Sequence, residues 1–246
     1  MENIYLFYGL LFLVAFLYSS VGHGGASGYL ALMAIFSFTP DVMKPTALLL
    51  NLFVSIISFI QFYRGKHFDW QIFLPFAIAS VPMAFIGGLI SIDTFVYKKL
   101  LGLLLIIPII RFLFFNTVVV EDVKKSNPVL SLIIGAGIGL LSGMIGIGGG
   151  IILTPVLLLL KWTDMKKAAG ISALFIFVNS MAGLAGQLTK GIHFSTDMVA
   201  YVAIAFAGGV CGAYFGSLKF NQIILKYLLA VVLMLAACKL LFTNAG

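Results

Sequence analysis

Two short clusters of small residues carry most of the chemical potential of this sequence: Gly22-His23-Gly24-Gly25-Ala26 and Gly146-Ile147-Gly148-Gly149-Gly150. Each opens a short apolar run. A helix that starts at such a break presents unpaired backbone N–H groups, and its dipole places roughly half a positive charge there, so an anion can be held without a basic side chain. Glycine lets the anion approach the backbone closely. Ser19, Ser20 and Ser27 add hydroxyl donors at the first cluster, and Ser142 lies near the second. His23, with an ordinary pKa of about 6.5, could carry a coupling proton, touch the anion, or stay neutral with its ring nitrogens bonded to backbone. Its counterpart is Ile147, which argues that anion binding does not require the imidazole. Asn51 and Asn179 fall in the third apolar segment of each half. There they could line a cavity or bond helix to helix, the latter worth about 0.6 kcal/mol on average. Glycine spacing also serves close helix packing, the reading that fits Gly135, Gly139 and Gly143.

Other chemistries find no residues to perform them. All eight acids, Glu2, Asp41, Asp69, Asp93, Glu121, Asp122, Asp164 and Asp197, lie at the ends of apolar segments or between them. An intramembrane aspartyl enzyme, a di-metal carboxylate centre or a carboxylate proton relay would need buried acids. No Gly-x-Ser-x-Gly or His-Glu-x-x-His motif appears. Cys211 and Cys238 sit inside apolar runs, which indicates neither a disulfide framework nor a zinc site. The expectation is a protein that is not an enzyme and uses no metal or cofactor. The net charge of +7 comes from basic residues scattered singly or in pairs, so it points to membrane topology and not to nucleic acid.

The elements that must position the glycine clusters are set by hydropathy. Of the 246 residues 62% are hydrophobic and 9% charged, against roughly 25% charged in a soluble domain. Apolar runs divide the chain into segments at about 4–21, 25–38, 45–62, 70–90, 97–115, 129–146, 149–161, 168–188, 197–217 and 222–243. The second and seventh reach only about 20 Å, short of the roughly 30 Å hydrocarbon layer. The opening residues Met1, Glu2 and Asn3 lack the basic start of a cleavable signal peptide, so the first segment is expected to stay.

The halves repeat. Besides the glycine clusters, Asp41-Val42-Met43-Lys44 matches Asp164-Met165-Lys166-Lys167, and Gln61 to Phe68 matches Gln187 to Phe194 in a Gln-x-x-Arg/Lys-Gly-x-His-Phe pattern. Asp41 and Asp164 read as helix N-caps, Lys44 and Lys167 as interface anchors, with a gate as the less favoured alternative, and the His-Phe turns as interfacial, with snorkelling bases and aromatics. The expected fold is an all-α polytopic membrane protein of about ten helical segments. They form two five-segment inverted repeats, residues 1–122 and 123–246, with short broken or re-entrant helices at the glycine clusters and no soluble domain. The basic residues divide ten to five: Arg64, Lys66, Arg111, Lys124, Lys125, Lys161, Lys166, Lys167, Lys219 and Lys226 against Lys44, Lys98, Lys99, Lys190 and Lys239. That bias makes the first group cytoplasmic and puts both termini outside. It does not distinguish full crossings from re-entrant ones.

The run Ser142-Gly143-Met144-Ile145-Gly146-Ile147-Gly148-Gly149-Gly150 with Pro155 beyond it, the Asp-x-x-Lys turns and the Gly-x-His-Phe turns resemble the TauE/SafE sulfite-exporter family of membrane anion permeases. The resemblance spans nearly the whole chain. The first copy departs from the glycine signature at His23 and Ala26 and carries Ala31 where the second has Pro155. The resemblance implies a secondary transporter of small sulfur-containing anions, such as sulfite, sulfoacetate or related sulfonates, in the cytoplasmic membrane. A passive anion channel and a non-transporting membrane assembly subunit are the alternatives. The partners are then a small anionic substrate, the lipid bilayer and a coupling proton. Direction of transport and oligomeric state are left open by the residues.

Overall fold

The computed structural model describes residues 2–20, 25–114, 123–191, 196–216 and 222–242. These form ten helices, with no strand among the described residues: α1 (Glu2–Ser20), α2 (Ala26–Ile35), α3 (Pro40–Arg64), α4 (Trp70–Leu89), α5 (Thr94–Phe114), α6 (Pro128–Ile145), α7 (Gly150–Leu159), α8 (Met165–Leu188), α9 (Thr196–Gly216) and α10 (Gln222–Phe242). Helices are what an apolar chain must form in lipid, where every backbone N–H needs a partner within its own segment. Among the described residues, α3, α4, α6 and α8 are each long and apolar enough to span a bilayer. The protein is a multi-pass helical membrane protein.

Local sequence sets the helix starts. The Asp164 carboxylate accepts from the N–H groups of Lys166 and Lys167 at 2.9 and 3.0 Å, as expected of an N-cap. Asp69 and Asn127 cap α4 and α6 in the same way. Each such cap is worth about 1 kcal/mol. Asp41 differs from the expectation: the N-cap of α3 is Thr39, and Asp41 sits in the first turn, where its charge complements the helix dipole.

Close packing is carried by glycines at four-residue steps. Gly135, Gly139 and Gly143 lay α6 directly on the backbone of α4 at Phe76, Ser80 and Ala84, and a methyl group on any of them would overlap that backbone. On the other side of the molecule Gly208 and Gly212 lay α9 on Phe12 and Phe16 of α1 in the same manner. The pairing α4 with α6 thus has its counterpart in α9 with α1. The pairs α4–α8 and α9–α3, α2–α10 and α7–α5, and α2–α3 and α7–α8 correspond in the same way, while α3–α8 and α5–α10 join equivalent helices.

The short helices α2 and α7 have 10 residues each, about 15 Å of rise, half a hydrocarbon layer. Both fold back. The Phe7 ring near the start of α1 lies 5.2 Å from Phe36 and 5.0 Å from Phe38, just past the end of α2. Lys124, just ahead of α6, donates its N–H to the carbonyl of Lys161, just past α7, at 2.7 Å. Each pair is therefore a helical hairpin with a break at its apex. The hairpins open toward opposite ends of α3, whose 25 residues run about 37 Å. At one end, the Lys239 ammonium donates to the Ile35 carbonyl and Ser37 hydroxyl, and Lys190 to the Ser91 hydroxyl. At the other, the Gly65–His67 turn packs its backbone on Gly170 of α8, amid a cluster of Phe59, Tyr63, Phe68, Trp70 and Phe73. The first His-Phe turn is thus an aromatic-lined helix end. Its repeat, Ile192 to Phe194, lies outside the described residues.

Candidate functional site

The turn between α6 and α7 is built from left-handed backbone. Gly146, the C-cap of α6, has φ 89°, Gly148 φ 73° and Gly149, the N-cap of α7, φ 78°. A side chain costs roughly 1–2 kcal/mol in this region, so three of these four positions demand glycine. Position 147 has no positive φ, which is why isoleucine is accommodated; its side chain is buried in the core with Ile145 and Ile151. The N–H of Gly146 closes α6 onto the Ser142 carbonyl at 2.8 Å. At the start of α7 no side chain caps the helix, and no acidic residue lies in its first turn. In that turn the Ile152 N–H donates to the Gly149 carbonyl at 3.1 Å, whereas the N–H groups of Gly150 and Ile151 have no acceptor within their own helix.

Side chains from both halves meet this turn. Gly148 has room for no side chain: a methyl group would stand 2.7 Å from the Asn51 amide nitrogen and 2.9 Å from Ile176. The Asn51 amide, on α3, donates to the Ser180 hydroxyl on α8 at 3.3 Å. Asn179 turns back and donates to the Phe175 carbonyl of its own helix at 2.8 Å. Of the two expected roles for these asparagines, Asn51 makes the interhelical bond and also lies at the break, whereas the Asn179 amide bonds within α8. Both carbonyl oxygens, together with the hydroxyls of Thr46, Ser55 and Ser142, are buried without a partner. Leaving such a group unpaired costs about 1–3 kcal/mol. Unpaired donors and acceptors buried inside a membrane protein can serve a polar ligand. The hydroxyls can donate to an anion, and so can the uncapped N–H groups of α7.

Lys44, expected as an interface anchor in preference to a gate, belongs to this neighbourhood. It is not an interface anchor: only 9% of it is exposed, and its ammonium lies 4.8 Å from the centre of the Tyr97 ring. The Tyr97 hydroxyl donates in turn to the Ile145 carbonyl at 3.0 Å, and the Lys44 backbone packs against Gly146. Sequence reasoning missed Ser180 and Gln187. Lys44 had a signal, a cation at the edge of a long apolar run; the others are ordinary polar residues until α8 is packed against α3 and α6.

The first break is only partly described. Gly22, His23 and Gly24, and the side chain of Ser20, lie outside the described residues. Gly25 caps α2 with φ −68°, so it does not share the left-handed geometry of Gly149. Its need for glycine is spatial, since a methyl group would fall 2.6 Å from the Tyr29 hydroxyl. That hydroxyl is buried without a partner. Ala26 and Ser27 are buried, and the Ser27 hydroxyl pairs with that of Tyr18 at 2.7 Å. Ser19 instead lines a small cavity with Val54, Ser58 and Gly209. Ser19 and Ser27 therefore do not converge on Asn51 and Gly148.

Residues 7–240 match the family described as sulfite exporter TauE/SafE. The chain is 37% identical over 235 residues to the "Probable membrane transporter protein y4hK" of Sinorhizobium fredii, covering 94% of this chain and 95% of that one. It is 31% identical over 209 residues to a protein of Methanocaldococcus jannaschii also named a probable membrane transporter, covering 80% of this chain and 76% of that one. No solved structure matches. A match over nearly the full length, together with the glycine turn between α6 and α7, establishes that the chain is a membrane transporter belonging to the sulfite exporter TauE/SafE family.

Proposed function

We propose that this protein is a secondary transporter of small sulfur-containing anions, sulfite, sulfoacetate or related sulfonates, across the cytoplasmic membrane. One observation carries the reading: the uncapped N-terminus of α7 meets buried Asn51 and Ser180 at a turn whose Gly148 leaves no space for a side chain. Backbone N–H groups and hydroxyls can bind a sulfonate through its oxygens, and the helix dipole supplies the positive potential. The two five-helix halves form an inverted repeat, supported by hairpins that open toward opposite ends of α3 and by the corresponding helix pairs. In alternating access one hairpin region opens to each face in turn. The face of Arg64 and Lys161 is cytoplasmic on the charge bias, and both termini are outside. His23 is the candidate for a coupling proton.

Reconstitution tests the reading. Proteoliposomes are screened for uptake of sulfite, thiosulfate, taurine, sulfoacetate and acetate, with and without a proton gradient. The expected outcome is saturable uptake and counterflow of at least one sulfur anion, acetate being a poor substrate. Large unitary currents would replace the carrier with a channel, and no flux of any of these anions would overturn the transport reading. Sodium-dependent uptake would count against a site that lacks carboxylates.

A further inference from the structure

A cavity of about 310 Å³ opens between α3, α4 and α8 on the face of Ser91 and Lys190, lined among others by Asp41, Lys44, Gly88 and Gln187. Two of its side chains are unusual for a surface recess. Lys44 is a cation with 9% exposure, and Gln187 is 3% exposed with its carbonyl oxygen lacking any partner. The Gln187 amide reaches only the Gly143 carbonyl, at 3.5 Å. Lys190 stands at the rim, donating to the Ser91 hydroxyl at 2.8 Å. Two ammonium groups face one carboxylate, so the cavity carries net positive charge. A buried cation is costly unless compensated. The Tyr97 ring and Asp41 one turn away compensate part of that cost.

The cavity also shares a wall with the helix break. Lys44 packs its backbone on Gly146, and Gln187 contacts Gly143 at the end of α6. We propose that this cavity is a receiving station for a small sulfonate or inorganic oxyanion, held by the Lys44 ammonium with Lys190 at the rim, and that Gln187 separates it from the Gly146–Gly149 turn. The assignment rests on the anion-transport reading above and adds to it a second station, on one face, that uses side-chain charge where the turn uses backbone. A cation here raises the local concentration of anions before they reach a site with no charged group of its own.

The test places a thiol at the station, Lys44→Cys, in a background with Cys211→Ser and Cys238→Ser. Phosphatidylcholine liposomes keep anionic lipid headgroups from competing. The probes are sulfoacetate and inorganic sulfate, neither of which attacks thiols or methanethiosulfonates. Lys44→Cys should lower kcat/KM for sulfoacetate about tenfold or more, the scale of a lost hydrogen bond to a charged group. Modification with 2-aminoethyl methanethiosulfonate, which restores an ammonium, should recover most of the loss, and the sulfonatoethyl reagent should not. Either probe should slow modification of the introduced thiol by the cationic reagent, a readout that needs binding alone. Wild-type transport with unslowed modification and an unchanged kcat/KM would overturn the station and leave the transport reading intact. Equal rescue by both reagents would also overturn it, because packing and not charge would be at work. Slowed modification without any wild-type transport would uphold the station while the transport reading fails.

Discussion

Asn51 and Ser180 belong to opposite halves of the chain, yet the amide of one donates to the hydroxyl of the other at 3.3 Å, and the backbone of Gly148 lies against both. The turn between α6 and α7 is thereby clamped to α3 and α8 together. Movement of either long helix must be felt at the start of α7, which is the property a transporter site needs.

The turn should tolerate no side chain at its centre. Gly148→Ala introduces a methyl group 2.7 Å from the Asn51 amide nitrogen at φ 73°, with a conformational cost of roughly 1–2 kcal/mol before any clash. Uptake of the transported anion should fall about tenfold or more. Gly191→Ala is the control, since Gly191 also has positive φ, 77°, but nothing within 4 Å. Equal uptake by the two variants would mean that the space around Gly148 is irrelevant.

A carboxylate at Asn51 should repel the anion it is placed beside, because like charges interact strongly away from water. Asn51→Asp is expected to abolish anion binding at neutral pH, measured by calorimetry on purified protein. Burial favours the neutral acid, so binding should partly return as pH falls and the carboxyl is protonated. Undiminished affinity at neutral pH would move the site elsewhere.

The glycine seam between α6 and α4 predicts a position-specific stability pattern. Gly139→Ala and Gly143→Ala each drive a methyl group into the α4 backbone, whereas Gly137 has nothing within 4 Å. Thermal unfolding in detergent should show the first two losing about 1–3 kcal/mol. Gly137→Ala should be neutral or slightly stabilising, since alanine is the better helix former by about 1 kcal/mol. Three equal midpoints would sink the seam.

Sidedness can be read with an impermeant maleimide in the background lacking Cys211 and Cys238. Ser37 and Lys161 are both exposed, at opposite ends of the molecule. Ser37→Cys is expected to label from outside the cell and Lys161→Cys only after permeabilisation. Labelling of both from one side would break the proposed arrangement, and exchanged sides would show that the charge bias misled.

Much of the architecture is local and was therefore legible in the residues. Apolar runs become helices because lipid offers the backbone no other partner, and the Asp164 cap needs only the next three residues. The break at Gly146–Gly149 follows from a demand for positive φ that glycine meets. The four-residue spacing of Gly135, Gly139 and Gly143 already implied a packed face. What residue order could not settle is which sides of these helices meet. A helix apolar all round carries no periodic signal for its inward face. The fold-back of α2 and α7, the bond between residues 51 and 180, and the burial of Lys44 beside Tyr97 are decided by helix rotation and crossing. Those depend on contacts distant in the chain, so they exist only once all the helices are packed.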